Sequence, residues 1–286
     1  MKKYLAEFLG TAVIVLSGCI ASVSVNIMVS ALGFQIPMAF TTLACAFSFG
    51  LAVMVSYYCF SKISGGHFNP AVSLGTLITG DISVKEFFGY AISQILGGIC
   101  GAAIASIILD TRTAMFASGF NEFSTFGVSM ISAILLEVVL TFVFVYLFLA
   151  VTKDEKAGNL KGLIIGLGFT FVYLVETPMT GGGSNPAKSI AAAVIQEGTA
   201  DLSQLWVFVI APLLGAALAA LLYIFFNGDK SKDSEDEIPE IDIEKEVIEI
   251  DSCEVLDTDE PKEDVDEVAC AMSSLTDEEL NQNSEK

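Results

Sequence analysis

The chain has 286 residues, of which 53% are hydrophobic, with a mean hydropathy of +0.65 and a formal net charge of −20. The charge is not spread evenly: from Asn227 onward there are 23 Asp and Glu against 5 Lys, a balance of −18, which leaves only −2 for the first 226 residues. This composition excludes an ordinary soluble domain, and the lack of any basic patch gives a nucleic-acid partner no support.

About 20 mostly apolar residues cross a bilayer core of roughly 30 Å. Six runs meet that length, over residues 5–28, 38–60, 86–108, 127–151, 160–178 and 204–226. The first follows Lys2 and Lys3 as a signal peptide would, but its length and Glu7 favour a retained span. Glu7 in the first run and Glu137 in the fourth are ionisable groups at membrane depth, which are rare and functional by default. Pinning irregular backbone inside a bundle is the favoured role for both carboxylates, ahead of proton relay. Cys19, Cys45, Cys59 and Cys100 lie within the runs and read as small buried hydrophobes. No cysteine pair has metal or redox spacing.

After the second run comes Ser64-Gly65-Gly66-His67-Phe68-Asn69-Pro70-Ala71, and after the fifth comes Gly181-Gly182-Gly183-Ser184-Asn185-Pro186-Ala187-Lys188. Asparagine is a preferred N-cap and proline suits the first helical position, so each Asn-Pro-Ala box starts a helix. The apolar stretches Asn69–Thr79 and Asn185–Gln196 that follow reach about 15 Å at 1.5 Å per residue, half a bilayer core. The order of carboxylate, span and box recurs, giving an internal repeat over residues 1–108 and 127–226. Three spans per repeat invert the second copy in the membrane. Two half-helices then enter from opposite faces and meet N-terminus to N-terminus. Irregular backbone at that depth must line a cavity or be buried, so the expected architecture is all-α with a central pore.

Loop lysines give the orientation. Lys2, Lys3, Lys62, Lys85, Lys153, Lys156 and Lys161 fall on one side, against Arg112 and Lys188 on the other, which places both termini in the cytoplasm. The segment Leu109–Phe126 links the repeats outside. Beyond residue 226 the dense Asp and Glu, without aromatics, predict a disordered acidic cytoplasmic tail over 227–286 whose partner is unknown.

The two boxes, their HFNPAVS and SNPAKS contexts and the glutamate opening each repeat resemble the aquaporin, or major intrinsic protein, family over residues 4–226. The resemblance implies a passive water channel that excludes protons and ions, homotetrameric, in the cell membrane, with no cofactor, no metal and no enzymatic activity. It implies that Asn69 and Asn185 face the pore centre and donate to water, while the two helix dipoles oppose cations. Pro70, Ala71, Pro186 and Ala187 then build the box structure, with Glu7 and Glu137 as supports. Counting from the boxes, the family's outer constriction falls on Phe49, Tyr173, Gly182 and Lys188.

Water-selective relatives typically carry His and Arg where this sequence has Tyr173 and Lys188. Lysine keeps the charge but lacks the planar five-donor fork. Ser189, in place of the aspartate of glycerol-type relatives, together with Ala193, Leu205 and Trp206, looks like the water-selective branch. A facilitator of glycerol, urea or ammonia is the alternative. An ion-coupled transporter built on inverted repeats is a weaker one, because it needs charged coupling groups near the midplane. His67, the only histidine, is expected to steady the first loop or line the cytoplasmic half of the pore.

Overall fold

The computed structural model describes residues 1–32, 38–112, 117–196 and 200–228. The acidic tail predicted over 227–286 lies, but for its first two residues, outside the described residues.

Among those residues the structure is helical without strands. Its elements are α1 (Lys2–Leu32), α2 (Met38–Ser64), α3 (Pro70–Ile78), α4 (Val84–Leu109), α5 (Met130–Lys153), α6 (Lys161–Thr180), α7 (Pro186–Ile195), α8 (Ala200–Gln204) and α9 (Val207–Asn227). Six of these segments are long and apolar enough to cross a membrane, and α3 and α7 are the two short helices expected after the boxes. Asn69 and Asn185 cap them, each side-chain oxygen accepting from an N–H two residues on, and proline follows at the first helical position.

The bundle reverses the polarity of a soluble protein. Leu43, Phe47, Leu51 and Val55, at successive four-residue steps along α2, are all about half exposed, as a lipid-facing stripe would be. Buried polar side chains collect inside instead, including Glu7, Gln94, Asn69, Glu137, Glu176, Asn185 and Lys188. Small residues bring helices close: a Cβ on Gly97 would lie 2.2 Å from the Phe8 carbonyl oxygen, and one on Gly101 2.3 Å from that of Ala12. Ser56 Oγ donates to the Gly10 carbonyl at 3.1 Å, a second kind of tie between helices.

Packing follows the repeat. Helix α1 lies against α2 and α4, α5 lies against α6 and α9, and α2 meets α6 across the middle. The short helices are exchanged: α3 packs on α9, the last span of the other repeat, and α7 packs on α4.

Candidate functional site, a pore between two half-helices

The site forms where α3 and α7 begin. Asn69 Oδ1 accepts from Ala71 N at 2.8 Å and Asn185 Oδ1 from Ala187 N at 3.0 Å, which fixes both amide orientations. Each Nδ2 then reaches across to the opposite loop. Asn69 Nδ2 donates to the Ser184 carbonyl at 2.9 Å, and Asn185 Nδ2 donates to the Phe68 carbonyl at 3.0 Å. Capping engages only the oxygen and by itself leaves both amide hydrogens free. Instead one is held, and an NH₂ group has a second to offer.

To present its carbonyl, Phe68 adopts a left-handed backbone with φ of 49°. That conformation is costly for a bulky residue and persists only where the surroundings hold it. Glu7, wholly buried, supplies the hold. Its Oε1 accepts from Ser64 Oγ at 2.6 Å and His67 N at 3.1 Å, and its Oε2 accepts from Phe68 N at 2.6 Å and Gln94 Nε2 at 2.7 Å. In the second repeat Glu137 Oε1 accepts from Thr180 Oγ1 at 2.6 Å and Gly183 N at 3.2 Å.

A cavity lies at the junction, bounded by Asn69, Asn185, His67 and Phe68 with the apolar side chains of Ile14, Val53 and Phe169. It offers about 10 Å³ to the centre of a water-sized sphere, which is about the space one water requires. On the His67 side the channel widens into a vestibule of about 450 Å³ bordered by Lys3, Asp81, Glu86, Tyr90 and Lys153. The vestibule lysines are paired, Lys3 with Glu86 and Lys153 with Asp81 at 2.9 Å. His67 Nδ1 lies 3.1 Å from Ser73 Oγ, and its ring meets Tyr90 and Phe148 edge-on, so the histidine both braces the loop and borders the passage.

The four residues counted from the boxes are brought together on the far side. The rings of Phe49 and Tyr173 have centroids 4.6 Å apart, and Tyr173 Oη donates to the Gly182 carbonyl at 3.4 Å. Lys188 does not reach outward: it is buried, and its Nζ donates to the carbonyls of Gly181 at 2.9 Å and Gly182 at 2.7 Å. The ammonium also stands 6.0 Å from the centre of the Phe49 ring. Gly182 has φ of 81°, and a Cβ there would lie 2.8 Å from Tyr173, so a side chain is doubly disfavoured.

Two contributors escaped the sequence reading. Ser118, in the connector between repeats, donates to the Gly182 carbonyl at 3.0 Å and lies 3.3 Å from Lys188 Nζ. Nothing local marks it, because its partners are 64 and 70 positions away. Glu176, wholly buried in α6, accepts from Ser184 N at 3.3 Å and Ser184 Oγ at 2.9 Å. Its signal was present as a third carboxylate inside an apolar run, three residues after Tyr173.

Six membrane-length helices with two half-helices meeting end to end at a one-water cavity define a membrane channel made from an inverted repeat. The chain belongs to the major intrinsic protein family, whose model matches residues 1–223, and members of that family are channels rather than enzymes. It is 36% identical over 228 residues to Aquaporin Z of Brucella melitensis, covering 78% of this chain and 96% of that protein. It is 40% identical over 222 residues to Glycerol uptake facilitator protein-like 6 of Lactiplantibacillus plantarum, covering 77% and 95%. The X-ray structure of the aquaglyceroporin from Plasmodium falciparum superposes with a TM-score of 0.64 at 21% identity, covering 78% of this chain and 94% of that one. That likeness speaks for the fold alone.

Proposed function

We propose that this protein is a passive water channel, with both termini cytoplasmic and four copies per assembly. The observation that carries the reading is the central cavity, sized for one water and bordered by the two box asparagines. Each asparagine keeps an amide hydrogen beyond the one donated to the opposite loop, and that hydrogen is the donor a passing water oxygen needs. The positive ends of α3 and α7 meet there and oppose cations. The lysine bias of the loops supports the orientation, and kinship with proteins named Aquaporin Z supports water as the permeant. Phe49, Tyr173, Gly182 and Lys188 form the selective constriction, and His67 borders the cytoplasmic half.

One observation favours a second reading, in which small neutral solutes such as glycerol also pass. Lys188 directs its N–H groups to Gly181, Gly182 and Ser118, where a water-selective relative typically has an arginine fork. A relative named as a glycerol uptake facilitator-like protein points the same way. Stopped-flow light scattering on proteoliposomes separates the two. Water permeability well above empty vesicles, with slow glycerol re-swelling, is the expected result. Permeability equal to empty vesicles refutes the water reading, and rapid re-swelling in glycerol establishes the second.

A further inference from the structure

In the first repeat a single carboxylate, Glu7, takes three donors of the loop at once. It holds the Ser64 hydroxyl and the N–H groups of His67 and Phe68, the last two residues before the box. Counting back from each asparagine, the equivalents in the second repeat are Thr180, Gly183 and Ser184. Glu137 takes the first two, through one oxygen. Its other oxygen is buried and has no hydrogen-bond partner among the described residues. The third donor, Ser184 N, goes to Glu176 instead, and the serine hydroxyl goes with it. The first-repeat residue nine positions before the asparagine, matching Glu176, is Phe60, which packs its ring against Phe68. The second repeat thus has a carboxylate where the first has Phe60, and Glu137 holds one loop donor fewer than Glu7.

Ser184 is the hinge of this arrangement. Its N–H is held by Glu176, and its carbonyl, on the following peptide unit, accepts from Asn69 Nδ2 at 2.9 Å. The first repeat shows the mirror relation, with Phe68 N on Glu7 and the Phe68 carbonyl on Asn185 Nδ2. We infer that Glu176 is a positioning residue for the pore: by fixing Ser184 it aims the carbonyl that orients the Asn69 amide of the opposite repeat. Glu7 and Glu176 are therefore functional counterparts, although Glu7 and Glu137 are the counterparts in sequence. This rests on the water-channel reading only for its consequence for permeation. The anchoring itself does not depend on what passes.

The test follows both levels in the full-length protein in lipid nanodiscs or proteoliposomes. Residue-resolved hydrogen exchange should show the Ser184 amide exchanging about tenfold faster in Glu176→Ala, the scale for loss of one buried hydrogen bond. Gly183 should be little changed, and Glu137→Ala should give the opposite pattern. Glu176→Gln retains an acceptor oxygen and should restore most of the Ser184 protection. Unaltered Ser184 exchange in Glu176→Ala overturns the inference, as does a uniform rise across the bundle. If wild type conducts water, Glu176→Ala should lower permeability per inserted channel about fivefold, with recovery in Glu176→Gln. It should add little in an Asn69→Ala background, because residues acting through one another are non-additive. A fully additive loss there overturns the route through Asn69. Wild-type permeability equal to empty vesicles would remove the water reading and leave the exchange result to decide the anchoring.

Discussion

Asn185 donates its side-chain amide to the carbonyl of Phe68 at 3.0 Å, so the box of one repeat holds the loop of the other. The same side chain caps α7 through its oxygen, and the two duties can be separated chemically. Asn185→Asp keeps the capping acceptor and loses the donor. It should cost about 1–3 kcal/mol, the range for leaving a buried carbonyl unsatisfied, read as a lowered midpoint of thermal unfolding in detergent. Water permeability should fall as well. A variant as stable as wild type would show that the cross-loop bond contributes nothing.

In the constriction proposed above, the Tyr173 ring packs against Phe49 with centroids 4.6 Å apart and is the group expected to set the width. Tyr173→His together with Lys188→Arg should raise the ratio of water to glycerol permeability several-fold, since one methylene-sized change in a pocket is worth roughly tenfold discrimination or more. The check is paired stopped-flow traces in sucrose and glycerol. An unchanged ratio in the double variant removes these two residues from the filter.

Lys188 neutralises the acceptor-rich turn at Gly181 and Gly182. Removing it in Lys188→Ala strands the Gly181 carbonyl and takes the charged donor from that of Gly182, which Ser118 and Tyr173 still serve, with an expected loss of roughly 2–3 kcal/mol given the strength of hydrogen bonds to charged groups. Cation exclusion should weaken at the same time, measured as an ion current or as dissipation of a potassium gradient in vesicles. Tight vesicles and full stability together would refute this role.

Gly183 admits no side chain. A Cβ there would lie 2.4 Å from the Phe208 ring and 2.6 Å from the Glu137 carboxyl. Gly183→Ala should therefore destabilise by about 1–3 kcal/mol through overpacking, seen as reduced yield and a lower unfolding midpoint. Gly80→Ala, where a Cβ would meet nothing within 4 Å but φ is 81°, should cost less. Equal effects in the two variants would mean that crowding at Gly183 is relieved by movement.

The boxes were legible because their signal is local: cap, proline and glycine act within a few residues, and the apolar runs declare themselves by length. The observed helices run within a few residues of the expected spans, α5 beginning at Met130 where the run began at 127. Glu7 and Glu137 stood out as charges in apolar surroundings. Glu176 met the same criterion, but Thr177 and Pro178 beside it read as the end of a span, although α6 continues through Pro178 to Thr180. Ser118 was not readable at all, since a serine in a polar connector looks the same whether or not it folds back on the Gly182 turn. The cross-loop bonds of Asn69 and Asn185 were not readable either, because a cap argument counts only the oxygen and cannot see a carbonyl arriving from the other repeat.

The exchange of short helices between repeats, α3 on α9 and α7 on α4, has a consequence for synthesis. A ribosome delivers α3 long before α9 exists, so the first half-helix must wait at the membrane with α4 beside it but without α9. Neither repeat made alone can enclose its own box. The two halves are joined in one chain yet depend on each other as subunits of an obligate dimer do, and the last span is the one that closes the assembly.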